Sequence, residues 1–150
     1  MTLTQKEQDL LKDLEEQEKL CIDKYGKSAE KAVDPQLKGL FTQIAQTEQK
    51  HLNCLNGIKS GNVPACSDGE SAHPTFSAFH SVADTPDKKN DCYLCSDNLT
   101  GEKHVSHLYD TCIFEFKDEQ TRKALGAIQK DEQCHGKMIY DYMQANGMYC

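Results

Sequence analysis

The stretch IAQTEQKHLNCLNGI at residues 44–58 returns, altered, as IQKDEQCHGKMIYDY at residues 128–142. In both, a Glu-x-x-His stands where an amphipathic helix calls for leucine. The first inward stripe runs Leu37, Phe41, Ile44, Glu48, His51, Leu55, Ile58, in steps of three and four. The second runs Leu125, Ile128, Glu132, His135, Ile139, Tyr142. A carboxylate and an imidazole in the middle of an apolar stripe mark these helices as unusual. They also mark them as a pair.

The pairing extends outward in both directions. In the register that lays Glu18 on Glu102, Tyr25 meets Tyr109, Asp34 meets Asp118 and Ile44 meets Ile128. Glu48-Gln49 then meets Glu132-Gln133, and His51 meets His135, with no gap in the register. The chain therefore reads as two copies of one helical hairpin.

Local signals give the helix ends. Thr4-Gln5-Lys6-Glu7 is a capping box that opens the first helix. Asp34-Pro35, an N-cap followed by proline at the first helical position, opens the second, and Gly61 ends it. A third helix starts near Thr85-Pro86 and reaches about Phe116; Asp118 caps a fourth, which ends before Gly147. Short links at residues 33–34 and 117–118 make each pair an antiparallel hairpin. The expectation is an all-α four-helix bundle in one domain, 1–150: a hairpin at 4–60, a crossover at 61–84 and a hairpin at 85–146. The crossover is rich in Ser, Asp, Gly, Ala and Pro and has little periodicity. An extended chain covers the ~40 Å length of such a helix in about 12 residues, so this segment can run the whole bundle.

The repeat also sets a depth. Glu18 precedes Asp34 by nearly the same stretch of chain as Glu48 follows it. At ~1.5 Å per residue both stand roughly 21–24 Å from the turn. Glu102 and Glu132 have the same spacing about Asp118. Two such hairpins around a pseudo-twofold axis bring Glu18, Glu48, His51, Glu102, Glu132 and His135 into one layer. Four carboxylates in a core would repel one another and lose hydration, at several kcal/mol per ion, so a positive partner is required. One Glu from each of two helices and a Glu-x-x-His from each of the others is the ligand set of dinuclear carboxylate bundles. It calls for two divalent metal ions, iron or manganese by donor type, with zinc also accommodated. The alternative is a metal-free polar layer with some carboxyls protonated.

Composition narrows the function classes. The net charge is −7 and no Lys/Arg cluster breaks it, which argues against a nucleic-acid surface. No apolar run reaches membrane length, and the N-terminus MTLTQKEQDL lacks the pattern of a signal peptide, so synthesis in the cytoplasm is expected. Reduced thiols are then the default for the eight cysteines. The cysteines ignore the repeat: Cys21 meets Val105 and Cys54 meets Met138. Cys21 and Cys112 read as small buried hydrophobes. Cys92-x-x-Cys95 falls in an early turn of the third helix, and Cys66 and Cys150 are the best placed for cross-linking. Tyr25 and Tyr109 read either as donors to the polar layer or as plain core. His104 points away from Glu102, toward solvent. His73 and His80 sit in the crossover and suggest at most adventitious metal binding.

The Glu-x6-Tyr and Glu-x-x-His elements resemble those of the rubrerythrin and ferritin-like families. The stretch EKHVSHLYDTCIFEF…IQKDEQCHGKMIYDYM…NGMY more closely resembles the spore coat protein F family of endospore-forming bacteria. That likeness covers most of the chain and is weakest in residues 61–90. It implies a ferritin-like fold, residence in the spore coat, and other coat proteins or self-association, a homodimer included, as partners. The rubrerythrin likeness implies metal ligands at the six residues already singled out. The chain departs from rubrerythrins in its single Cys-x-x-Cys, where a rubredoxin iron centre needs two, so no built-in electron donor is implied. Two functions follow: a dimetal coat protein acting on peroxide or dioxygen, or a structural coat component without redox activity. An iron-storage role ranks below both, since storage needs a cage.

Overall fold

The computed structural model describes residues 2–65 and 73–149. The described residues form four helices and no strand: α1 Gln5–Lys31, α2 Pro35–Lys59, α3 Pro86–Glu115 and α4 Glu119–Ala145. Each end has a local cause. Thr4 and Glu7 close the capping box reciprocally, with Thr4 N–H donating to Glu7 Oε2 at 2.8 Å and Glu7 N–H to Thr4 Oγ1 at 3.2 Å. Asp34 accepts from Gln36 N–H at 3.0 Å, and Asp118 accepts from Thr121 N–H at 2.8 Å. Thr85 makes no side-chain cap bond, and Pro86 sets the first turn of α3 instead. Gly61 and Gly147, both at positive φ, turn the chain out of α2 and α4. A Cβ at Gly57 would lie 2.8 Å from the Asn62 carbonyl oxygen, so the close of α2 needs glycine there as well. Cys66 and Cys150, the expected cross-linking positions, lie outside the described residues.

Short links, 32–34 and 116–118, reverse the chain. Thus α1 packs along α2 and α3 along α4, and the two hairpins meet through α1 against α3 and α2 against α4. The inward stripes carry the core: Leu11, Leu14, Leu37, Phe41, Ile44, Leu55, Leu125 and Ile139 are all buried. At roughly 1.5–3 kcal/mol for each fully buried large apolar side chain, these stripes drive association of the helices. The stripe of α3 is the weakest, since Asp91, Asn98 and Glu102 replace apolar residues in it. Each has at least one hydrogen-bond partner. Asn98 donates to Ser28 Oγ at 3.0 Å and to the Leu94 carbonyl at 2.8 Å.

Two carboxylates set the register between hairpins. Asp91, at the start of α3, accepts from the backbone N–H of Val33 at 2.8 Å and of Asp34 at 2.9 Å, in the link between α1 and α2. Glu7, at the start of α1, accepts from Lys117 N–H at 2.9 Å, in the link between α3 and α4. In the register read along the sequence Glu7 falls on Asp91 and Val33 on Lys117. Each hairpin therefore fastens its open end to the turn of the other, and the two run in opposite directions. The crossover must then travel the length of the bundle, as its length allows. Its described part has no regular structure and lies along α2 as a strap. Gln43 donates to Thr75 O at 3.1 Å, Gln36 exchanges bonds with Phe79, and Ser81 donates to Asp34 Oδ2 at 2.6 Å.

Asp91 is fully buried, so Asp91→Ala removes two charge-assisted bonds and strands two backbone donors. Chemical denaturation should show a loss of about 2–4 kcal/mol, with Asp91→Asn losing less because its carbonyl still accepts. Glu7 adds a pH dependence. The Lys117 N–H holds its carboxyl below the ordinary 4.5, burial opposes this, and Thr4 reinforces it. Its folded-state contribution is complete above the unfolded value and is lost as the pH falls through the lowered one. Glu7→Gln should therefore be less stable at neutral pH and decline less steeply in acid, as read from melts across the acid range.

Candidate metal centre

Halfway along the bundle the apolar stripes give way to one polar layer. Glu18 from α1, Glu48 and His51 from α2, Glu102 from α3, and Glu132 and His135 from α4 are all buried. The spacing i, i+3 puts each Glu and His of a Glu-x-x-His one above the other on a single helix face. The antiparallel hairpins bring both faces to the same depth.

The six side chains divide into two overlapping sets. Glu18, Glu48, His51 and Glu132 each offer a ligand atom within 4.8 Å of the others, and so do Glu48, Glu102, Glu132 and His135. Glu48 and Glu132 belong to both. His51 Nδ1 faces Glu48 Oε2 at 2.9 Å, Glu132 Oε1 at 3.1 Å and Glu18 Oε1 at 3.8 Å. His135 Nδ1 faces Glu48 Oε1 at 3.3 Å, Glu132 Oε2 at 3.4 Å and Glu102 Oε1 at 3.5 Å. The rings lie 5.8 Å apart, centroid to centroid.

Hydrogen bonding alone does not account for this layer. An imidazole Nδ1 carries at most one hydrogen, yet each faces three carboxylates. Glu18 Oε2, Glu48 Oε1, Glu102 Oε2, both Glu132 oxygens and both His135 ring nitrogens are buried with no hydrogen-bond partner among the described residues. Orphaned donor atoms converging on two points are what a pair of cations would satisfy. Four carboxylates balance two divalent charges. The mixture of carboxylate and imidazole, with no thiolate among the ligands, suits iron or manganese.

The electrostatics of the ion-free layer point the same way. Burial pushes the Glu18 carboxyl well above its ordinary range, and the Glu48 and Glu132 carboxylates add to it. Burial and Glu132 do the same to Glu102. Burial would discharge both imidazoles, but the carboxylates outweigh it: Asp131, Glu132 and Glu48 for His51, and Glu102, Glu132 and Glu48 for His135. Both rings are pushed well up. Glu132 is held low, because His135 and His51 overcome its burial. Without cations the layer thus stores protons on some members to balance charge on the others.

Tyr25 and Tyr109 belong to this layer. Tyr25 donates its hydroxyl to Glu102 Oε1, and Tyr109 donates to Glu18 Oε1. Each tyrosine serves the carboxylate of the opposite hairpin, which decides between the two readings the sequence left open. His104 and His107 are both exposed on the outer side of α3 and take no part. Cys21 and Cys112 are buried, as expected, and burial pushes the Cys112 thiol up to about 11.

The sequence pattern passes over one member, Asp131. It accepts from His51 Nε2 at 3.0 Å through Oδ2, and its Oδ1 lies 2.8 Å from His73 Nδ1. The carboxylate fixes which way the His51 ring faces. Its register mate is Thr47, so a search for matched residues does not find it. His73, set aside as adventitious, is thereby joined to the centre through Asp131. His135 has no such support on Nε2 among the described residues.

Comparison with known proteins bears on the second hairpin. Residues 90–149 match the family described as Coat F domain, a narrower stretch than the likeness read along the chain. No curated protein and no solved structure matches.

Removing either tyrosine hydroxyl leaves a buried carboxyl without its donor. Tyr25→Phe and Tyr109→Phe should each cost about 1–3 kcal/mol in metal-free protein, and by similar amounts, as measured by urea denaturation. A purely apolar role for the rings predicts almost no loss.

Proposed function

We propose that this chain is a ferritin-like bundle, made of two repeated hairpins, that binds two divalent metal ions and serves in the bacterial spore coat. The observation that carries the metal reading is the pair of overlapping four-ligand sets that share Glu48 and Glu132. In this reading Glu18 and His51 hold one ion, Glu102 and His135 hold the other, and Glu48 and Glu132 are common to both. Iron or manganese bound there would supply Lewis acidity and one-electron chemistry toward peroxide or dioxygen. The chain's own part is to hold the ligands still and dry. Tyr25 and Tyr109 orient Glu102 and Glu18 from across the bundle, Asp131 orients His51, and the apolar stripes above and below exclude water. The Coat F match supports the coat as destination, with other coat proteins or further copies of this chain, as in a homodimer, as partners. No described helix is long and apolar enough to cross a membrane, and the acidic surface does not suit nucleic acid.

A second reading, a structural coat component without redox turnover, is favoured by the state of the Cys-x-x-Cys. Cys95 is fully buried and its thiol is pushed far up by burial and Asp91. Cys92 points its Sγ at the Met148 carbonyl, 3.7 Å away. Neither is placed as a reactive dithiol, so electrons for turnover would come from a separate donor. Metal analysis with a peroxide-consumption assay separates the two readings.

The metal reading is tested by melting wild type, Glu48→Ala and Glu132→Ala with and without manganese or ferrous iron. Wild type should take up two equivalents and gain about 2.7 kcal/mol for each ion bound when free metal reaches about a hundred times its Kd. Each variant should lose two-metal binding and most of that gain. Neither should unfold outright without metal: deleting Glu48 relieves repulsion among the carboxylates, and on deleting Glu132 the imidazoles it faces can give up their protons to the remaining groups. Three proteins that melt alike and ignore metal would establish the metal-free polar core instead.

A further inference from the structure

Between α3 and α4 a groove of about 410 Å³ leads in from the surface toward the polar layer. Its rim is Lys103, Gln133 and Ser106, its walls include Leu99 and Gly136, and Glu102 and Glu132 lie at its floor. Those carboxylates are only 4% and 1% exposed. Glu102 Oε2 and both Glu132 oxygens have no hydrogen-bond partner among the described residues. The groove thus ends on two carboxylates that each keep an unpartnered oxygen.

The other hairpin differs at just these wall positions. Carried back through the repeat, Gly136 becomes Leu52, Ser106 becomes Ile22 and Leu99 becomes Glu15. Glu15 is itself occupied by Lys59 Nζ at 2.8 Å. Two bulky aliphatic side chains, Leu52 and Ile22, stand where α3 and α4 have a hydrogen and a hydroxymethyl, and an ion pair takes the place of Leu99. The face between α2 and α4 is covered as well, since Asp131 and then His73 lie over the outer edge of His51. Nothing in the backbone holds position 136 to glycine: a Cβ there would make only an ordinary contact with Leu99 Cδ1, at 3.6 Å, and it is a longer side chain that would enter the groove.

We propose that small polar molecules of the peroxide or azide class reach the centre through this groove, on the Glu102 and His135 side, and that Gly136 and Ser106 keep it open. This rests on the metal reading above. The Lys103 ammonium at the rim favours an anionic visitor, and the absence of a side chain at Gly136 sets the width. Entry is then one-sided although the ligand set is nearly symmetric.

The test uses the full chain loaded with cobalt(II), whose visible spectrum reports exogenous ligands, and azide as the probe in stopped-flow. Gly136→Leu should slow azide association about ten-fold while both cobalt ions stay bound. Ser106→Ile, which copies the residue of the other hairpin, should slow it as well and stands in if Gly136→Leu folds poorly. Gly126→Leu, on α4 with open space around it, should leave the rate unchanged. Unchanged rates in both groove variants, or equal slowing by Gly126→Leu, would overturn the route and leave the metal centre standing. Wild-type protein that binds no cobalt would overturn the metal centre and the route with it.

Discussion

Four carboxylates buried at one depth are the constraint around which the rest of this molecule is arranged. Their mutual repulsion and lost hydration oppose folding, and the apolar stripes on either side must hold them together regardless. Every unusual feature near the middle of the bundle answers that difficulty. The imidazoles of His51 and His135 are pushed toward their charged forms, Glu18 and Glu102 toward their neutral ones, and two tyrosines donate into the layer from opposite sides. Cations in the two four-ligand sets would complete the compensation in one step.

A layer of this kind tolerates little slippage. One residue of slide along a helix moves a side chain by ~1.5 Å and roughly 100°, enough to turn a carboxylate out of the core. The bundle sets its register at the ends, far from the layer. Glu7 and Asp91 reach across to the opposite turn, and Asp34 ties the strap, α2 and Tyr142 together, accepting from Tyr142 at 2.7 Å. These contacts are polar, directional and at least partly buried, so they discriminate between registers that apolar packing alone would accept almost equally.

Most of this was legible in the sequence because it is periodic or repeated. Capping residues, stripe spacing and the internal register placed the helix ends closely, and they brought Glu18, Glu48, His51, Glu102, Glu132 and His135 to one layer. What stayed hidden breaks the pattern. Asp131 opposite Thr47, Gly136 opposite Leu52 and Ser106 opposite Ile22 look like drift between copies, and only the fold shows that they lie beside the centre. The partners of Tyr25 and Tyr109 were open for another reason. A stripe shows that a residue faces inward, but not which helix it faces. His73 depended on the path of an aperiodic strap, which no spacing rule predicts.

The crossing of the tyrosines has a consequence for how the molecule comes together. Tyr25 serves a carboxylate 77 positions away and Tyr109 one 91 positions away. Each hairpin has one imidazole against its own carboxylates, but the tyrosine donor to its first glutamate comes from the other half. Each can form locally and quickly, but the polar layer exists only after the halves have docked. A hairpin alone would expose its glutamates along its apolar seam, a poor template for sticking to itself or to the wrong neighbour. The charged seam thus acts as a proofreading device during assembly. It penalises pairings that leave Glu18 and Glu102 without the tyrosine of the opposite half, and metal capture would come last, as the sign that the halves have found each other.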